Sequence, residues 1–201
     1  MSTAVTVSAA GSEPAAKPAS RRRARARLAR LGAGAGLVAC ALGLGIIGGL
    51  GWAWLRPAYV GTAAHGGVAV DQIASPANVE FAALGWFSLL NAVIGAVLAV
   101  VALRQSSRGE RRGGVGTLVW LIVCAAAAAF ALYTTGNLVI SLQQQGFAEL
   151  ADGQSLQVVP PVSLGVAWCV GPFTAALSYW LADVFVFLSR DSAGDSAAEI
   201  V

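Results

Sequence analysis

Apolar positions in this chain gather into four long runs separated by short polar stretches. The first, from Leu31 to Leu55, has no charged residue over 25 positions; as a helix it would extend about 37 Å and cross a bilayer with some tilt. The others run from about Phe81 to Leu103, Val115 to Ile140 and Val162 to Leu188. Each outlasts a typical soluble core helix, and none has the polar stripe of an amphipathic surface helix. The pattern predicts an all-α integral membrane protein, an antiparallel bundle of four transmembrane helices spanning 31–55, 81–103, 115–140 and 162–188. Ahead of it, residues 1–30 read as a disordered basic cytoplasmic tail, because Met1 to Ser20 is rich in Ala, Ser, Thr and Pro and has no aromatic anchor. Residues 189–201 read as a second, short cytoplasmic tail. The first run is about twice the length of a signal-peptide core, so cleavage after Thr62-Ala63-Ala64 is not expected.

Composition sharpens this picture. The chain is 57% hydrophobic and 11% charged, whereas soluble domains carry about 25% charged residues. The predicted loops are short, so any activity has to reside in the bundle, in the loops or in a partner. Charge sets the orientation. Seven basic residues (Lys17, Arg21, Arg22, Arg23, Arg25, Arg27, Arg30) precede the first span, four (Arg104, Arg108, Arg111, Arg112) lie between the second and third, and Arg190 follows the fourth. Only Arg56 falls on the other side. Twelve against one places both termini in the cytoplasm of a cell membrane by the positive-inside rule. The basic tail lacks aromatic residues and a folded motif, which argues against nucleic acid as a partner. Two aromatic belts are expected, with Trp52, Trp54, Tyr59, Trp86 and Tyr133 near the outer interface and Trp120, Tyr179 and Trp180 near the inner one. Trp168 is expected to face a neighbouring helix.

Small residues recur at steps of four: Ala41, Gly45, Gly49 and Ala53 in the first span, Asn91, Gly95 and Ala99 in the second, and Ser163, Ala167, Gly171 and Ala175 in the fourth. Lipid gives helices no hydrophobic reason to associate, so close backbone approach at Gly45, Gly49, Gly95 and Gly171 is expected to supply packing. Pro172 is expected to kink the fourth helix by removing the bond to the Trp168 carbonyl. Asp183 is the one acidic residue inside a span, which makes it a candidate for intramembrane polar function. Its depth favours an interfacial pair with Arg190, Arg104 or Arg112 over a proton or substrate role. Asn91 reads as helix–helix glue, with a polar path as its alternative.

Nothing assembles into an active site. The single histidine, His65, has only Asp71 and Glu80 as prospective co-ligands at irregular spacing and reads as a solvated loop residue. Cys40, Cys124 and Cys169 all lie in apolar runs and read as small hydrophobes. No cofactor, metal or catalytic set is expected. The loop from Ser141 to Pro161, with Gln143, Gln144, Gln145, Glu149 and Asp152, reads as a polar connector or a short interfacial helix around Phe147 to Leu150.

Gly51-Trp52-Ala53-Trp54-Leu55-Arg56-Pro57 at the end of the first span, Gly61 and Asp71 in the next loop, and Arg111-Arg112-Gly113-Gly114 before the third span form a pattern. It resembles an uncharacterised family of small actinobacterial four-pass membrane proteins, over about Leu31 to Leu188. The fourth span departs from it, reading Trp168-Cys169-Val170-Gly171-Pro172 where the family has Trp beside Pro. The resemblance implies topology and lineage but no catalytic residue. The expected function is that of a non-enzymatic accessory or assembly component of the bacterial envelope, with membrane lipid and either a second copy or another membrane protein as partners. The alternative is a small transporter or lipid-handling protein built around Asp183, Asn91 and Pro172.

Overall fold

The structure, a computed structural model, describes residues 18–64, 67–107, 114–145 and 153–198. In chain order it runs α1 (Pro18–Leu55), β1 (Tyr59–Ala64), β2 (Gly67–Val70), α2 (Val79–Ser107), α3 (Val115–Gln143), β3 (Ser155–Val158), a 3₁₀ turn (Gly165–Cys169) and α4 (Val170–Ala198). Four helical segments are long and apolar enough to cross a membrane: Gly34–Leu55, Val79–Ser106, Val115–Gln143 and Gly165–Val186. The chain is a multi-pass membrane protein that is mostly helical, as the apolar runs predict.

The first helix is longer than the run that predicts it. It reaches back to Pro18, so positions 18–30 are helical where disorder was expected. Pro suits a first helical position, and the following Arg, Ala and Leu residues are strong helix formers. Once a stable span supplies the nucleus, each added residue contributes a hydrogen bond without a new nucleation cost.

Consecutive helices run antiparallel: Gly48 meets Ile94 and Trp52 meets Ala83 and Phe87 between α1 and α2. The most extensive packing, however, joins α1 to α3 and α2 to α4, and these pairs run parallel. Gly45 faces Ala128, Gly49 faces Leu132 and Trp52 faces Gly136, both sequences advancing together. A Cβ at Gly45 would stand 2.5 Å from the Ala128 carbonyl oxygen, and one at Gly49 2.6 Å from that of Leu132. Between α2 and α4, a Cβ at Gly95 would stand 2.3 Å from the Gly171 carbonyl oxygen, and one at Gly171 2.2 Å from Asn91 Oδ1. Only hydrogen fits at these points, so the helix backbones touch, as small residues in membrane helices allow. Gly136, absent from the rows of small residues read in the sequence, does the same under the Trp52 ring.

The loop expected as a polar connector, Ser141 to Pro161, and the loop after α1 both carry strands at the Arg56 end. They pair into one antiparallel sheet of order β2-β1-β3, with register from Gly61↔Val70 to Ala64↔Gly67 on one side and from Tyr59↔Val158 to Thr62↔Ser155 on the other. Bonds between Ala63 N and Gln154 O and between Gly153 N and Ala63 O extend the second ladder. The sheet thereby fastens the loop after α1 to the loop before α4. The suggested helix around Phe147 to Leu150 lies outside the described residues.

Pro172 does not kink a helix at mid-span. The fourth span opens as a 3₁₀ turn from Gly165, whose φ is +47°, and α4 begins only at Val170. Pro172 therefore falls in the first turn of α4, where backbone N–H groups lack intrahelical acceptors, so the missing N–H costs little.

Two belt residues move inward. Trp52 is fully buried and Tyr179 nearly so, whereas Trp54, Trp86, Trp120 and Trp180 are exposed. Trp52 packs edge-on against Phe87 at 5.3 Å between centroids and against Tyr133 at 6.2 Å. Trp168 packs on Phe87, Tyr133 and Phe130, facing its neighbours as expected. One aromatic cluster thus joins all four spans at the sheet-bearing end, each pair adding about 0.5–1.5 kcal/mol beyond its area. Of the cysteines, Cys124 is buried but Cys169 is exposed.

Candidate functional site

Arg56 follows directly on the last residue of the first span. Its backbone N–H still donates to the Trp52 carbonyl (3.0 Å), and Pro57 then ends the helix, because proline disfavours helical geometry in the residue before it. The side chain turns back over the bundle. Its guanidinium carbon lies 4.5 Å from the centroid of the Trp52 ring, Nη1 donates to Asn137 Oδ1 of α3 at 3.0 Å, and Nη2 donates to the Pro160 carbonyl just beyond β3. One cation therefore clamps α1, α3 and the chain leaving the sheet. Gln144 assists through a longer contact of 3.4 Å from Nε2 to the Val159 carbonyl.

Arg56 is only 7% exposed. Desolvation lowers its pKa, with a partial offset from Tyr133, yet a guanidinium stays charged in proteins. Among the described residues no carboxylate neighbours it, and its Nε is buried with no acceptor. A half-open pocket of about 470 Å³ adjoins it, lined by Trp54, Arg56, Gln143, Gln144, Ser155 and Gln157. A fixed cation bordered by amides and a hydroxyl can hold a polar or anionic group. Among the described residues it offers no nucleophile–base pair. A second cleft of about 310 Å³, between Gly34, Ala102, Ser106 and Trp120 at the other end, has no charged side chain among the described residues.

Removing the clamp should loosen the sheet before the bundle. Arg56→Ala deletes two charge-assisted hydrogen bonds and a desolvated cation–π contact, so amide exchange in β3 is expected to accelerate at least about tenfold, with the helix cores little changed. Hydrogen exchange followed by mass spectrometry reads both regions in one experiment.

The residues singled out in the sequence do not converge. Asn91 is fully buried, and its Nδ2 donates to the Ala167 carbonyl at 3.2 Å. That carbonyl also accepts from Val170 N at the junction of the 3₁₀ turn with α4, so Asn91 braces the break in the fourth span. Its Oδ1 has no hydrogen-bond partner and abuts Gly171. Asp183 is exposed on α4, about 18 Å of helix rise beyond Gly171. The side chains of Arg190 and Arg112 lie outside the described residues, as does His65. Asp71, its prospective co-ligand, accepts at Oδ1 from Ile73 N (2.9 Å) and Ala74 N (3.1 Å) and so closes the turn after β2. No group of three metal-ligating side chains occurs among the described residues. Asn91→Ala should therefore cost about 1 kcal/mol and Asp183→Asn under about 0.5 kcal/mol, as unfolding titrations in mixed micelles would show.

The sequence reading missed Arg56, Asn137 and the inward turn of Trp52. One signal was present. Arg56 is the sole basic residue on the predicted outer side, against the prevailing bias, and Asn137 is a polar residue within an apolar run beside a glycine. No protein-family model, curated protein or solved structure matches the chain.

Proposed function

We propose that this protein is a non-enzymatic component of a bacterial cell envelope, an accessory or assembly subunit that works by binding a membrane partner. In this reading it is a cell-membrane protein with both termini in the cytoplasm and the sheet outside, following the charge bias of the loops. An actinobacterial lineage rests on the resemblance carried by residues 51–57 and 111–114. The observation that supports a binding role is the sheet itself. A bundle locked at backbone contacts holds a small platform rigidly at one end, and that platform displays Val68, Val70 and Ile73, the last of them 98% exposed. Exposed apolar side chains on a rigid extramembrane platform suit contact with another protein or a second copy of this one.

The test is site-directed photocrosslinking in the native host. A photoreactive residue at Ile73 should give one stoichiometric protein adduct, while the same residue at Val119, exposed on the apolar length of α3, should give lipid or nothing discrete. Failure of Ile73 to crosslink, together with a monomer in mild detergent, would remove the proposal's support.

A further inference from the structure

We infer that the pocket beside Arg56 binds a phosphate ester at the membrane surface, such as the phosphodiester of a hydroxylated phospholipid headgroup. The inference goes beyond the accessory role and stands whether or not a protein partner is found.

Charge is the first ground. A guanidinium only 7% exposed is held by neutral acceptors at Asn137 and Pro160, and among the described residues no carboxylate balances its charge. Neutral acceptors and the Trp52 face offset part of its desolvation, and an anion would complete the compensation. Arginine is the side chain whose planar fork best matches phosphate oxygens. Nη1 and Nη2 each spend one N–H on a protein acceptor and keep a second, while Nε is buried with no acceptor.

The shape and chemistry of the pocket agree. At about 470 Å³ it exceeds what one water fills and falls within the range of small-ligand sites. Gln143, Gln144 and Gln157 present amides and Ser155 a hydroxyl, groups that both donate to phosphate oxygens and accept from ligand hydroxyls. A bare inorganic anion would leave most of that wall unused.

Depth is the third ground. Arg56 is one residue past the first span and Gln143 is the last residue of the third, which sets the pocket at the level where lipid phosphates lie. Trp54, 88% exposed beside it, is the amphipathic ring expected at that interface.

The experiment uses the full chain, purified in mild detergent, stripped of lipid and returned to nanodiscs of phosphatidylcholine alone or mixed with phosphatidylglycerol. Native mass spectrometry should find phosphatidylglycerol retained about tenfold over phosphatidylcholine. Gln157→Glu, which places a carboxylate on the pocket wall without touching the Arg56 bonds, should erase that preference while leaving the unfolding midpoint unchanged or raised. Gln105→Glu, at the far end of the bundle, should keep it. A parallel titration of the detergent-solubilised protein with glycerol phosphate separates the sources: binding there as well means that soluble esters are accepted, and binding in nanodiscs alone means a headgroup site. Equal retention of both lipids without glycerol phosphate binding would overturn the inference. So would Gln157→Glu behaving as wild type, or Gln105→Glu losing the preference equally.

Discussion

Replacing Gly95 with leucine is expected to force α2 from α4 and destabilise the bundle by about 3 kcal/mol or more. A Cβ alone would sit 2.3 Å from the Gly171 carbonyl oxygen and 3.2 Å from Ala175 N. Both are backbone atoms, which cannot rotate away as a side-chain tip can. The helices would have to separate, and Asn91 would then lose its reach to the Ala167 carbonyl, exposing the 3₁₀ junction of the fourth span. Gly85 on the same helix is the control, because nothing lies within 4 Å of a Cβ there, and leucine at that position should be neutral or gain helix propensity. Unfolding of both variants in mixed micelles, followed by circular dichroism, measures the contrast. Equal midpoints would mean that the α2–α4 approach contributes nothing to stability.

Trp52→Ala is expected to cost about 3 kcal/mol or more, in the range of large-to-small aromatic changes in cores. The indole is fully buried, donates from Nε1 to the Ala83 carbonyl at 2.8 Å and underlies the Arg56 guanidinium. Helices leaving the bundle would still lie in lipid, so little of this cost is hydrophobic transfer; most comes from the cavity, whose lining atoms would have no indole to pack against. Trp52→Phe should keep most of the packing and lose only about 1 kcal/mol, because the Ala83 carbonyl retains its helical acceptor role. A second consequence separates Trp52 from an ordinary core residue. The guanidinium loses its platform, so Trp52→Ala should also speed exchange in β3. A double-mutant cycle with Arg56→Ala should return a coupling of about 1–2 kcal/mol. A coupling near zero would show that the ring and the cation act independently.

These expectations rest on features of unequal legibility. The spans were plain, because a bilayer leaves a chain no way to satisfy its backbone except as helices or closed barrels, and the helical choice requires long apolar runs. The small residues at Gly45, Gly49, Gly95 and Gly171 could be read as packing positions for a related reason: in lipid, close approach is the main source of association energy. Trp52 misled because an indole at a span end looks the same in sequence whether it meets headgroups or turns inward. The difference is Gly136, 84 positions later in the chain, whose missing side chain makes room for the ring. Pro172 misled because its effect depends on where the α-helix starts, and the 3₁₀ turn before it shifts that start to Val170. The strands carried only faint local signals, Tyr59-Val60 and Val68-Ala69-Val70 around Gly66-Gly67, too short to stand out beside the long apolar runs.

The sequence by itself determined that the chain crosses a membrane in four helices, since that follows from local composition acting against a slab of hydrocarbon. Tertiary structure alone decided that the tight pairs are α1 with α3 and α2 with α4, that the two loops close into one sheet, and that Arg56 is buried at their junction. Those outcomes depend on which distant backbones can touch. Contact of that kind is decided by the fit of one glycine against one remote carbonyl, which no local window of sequence contains.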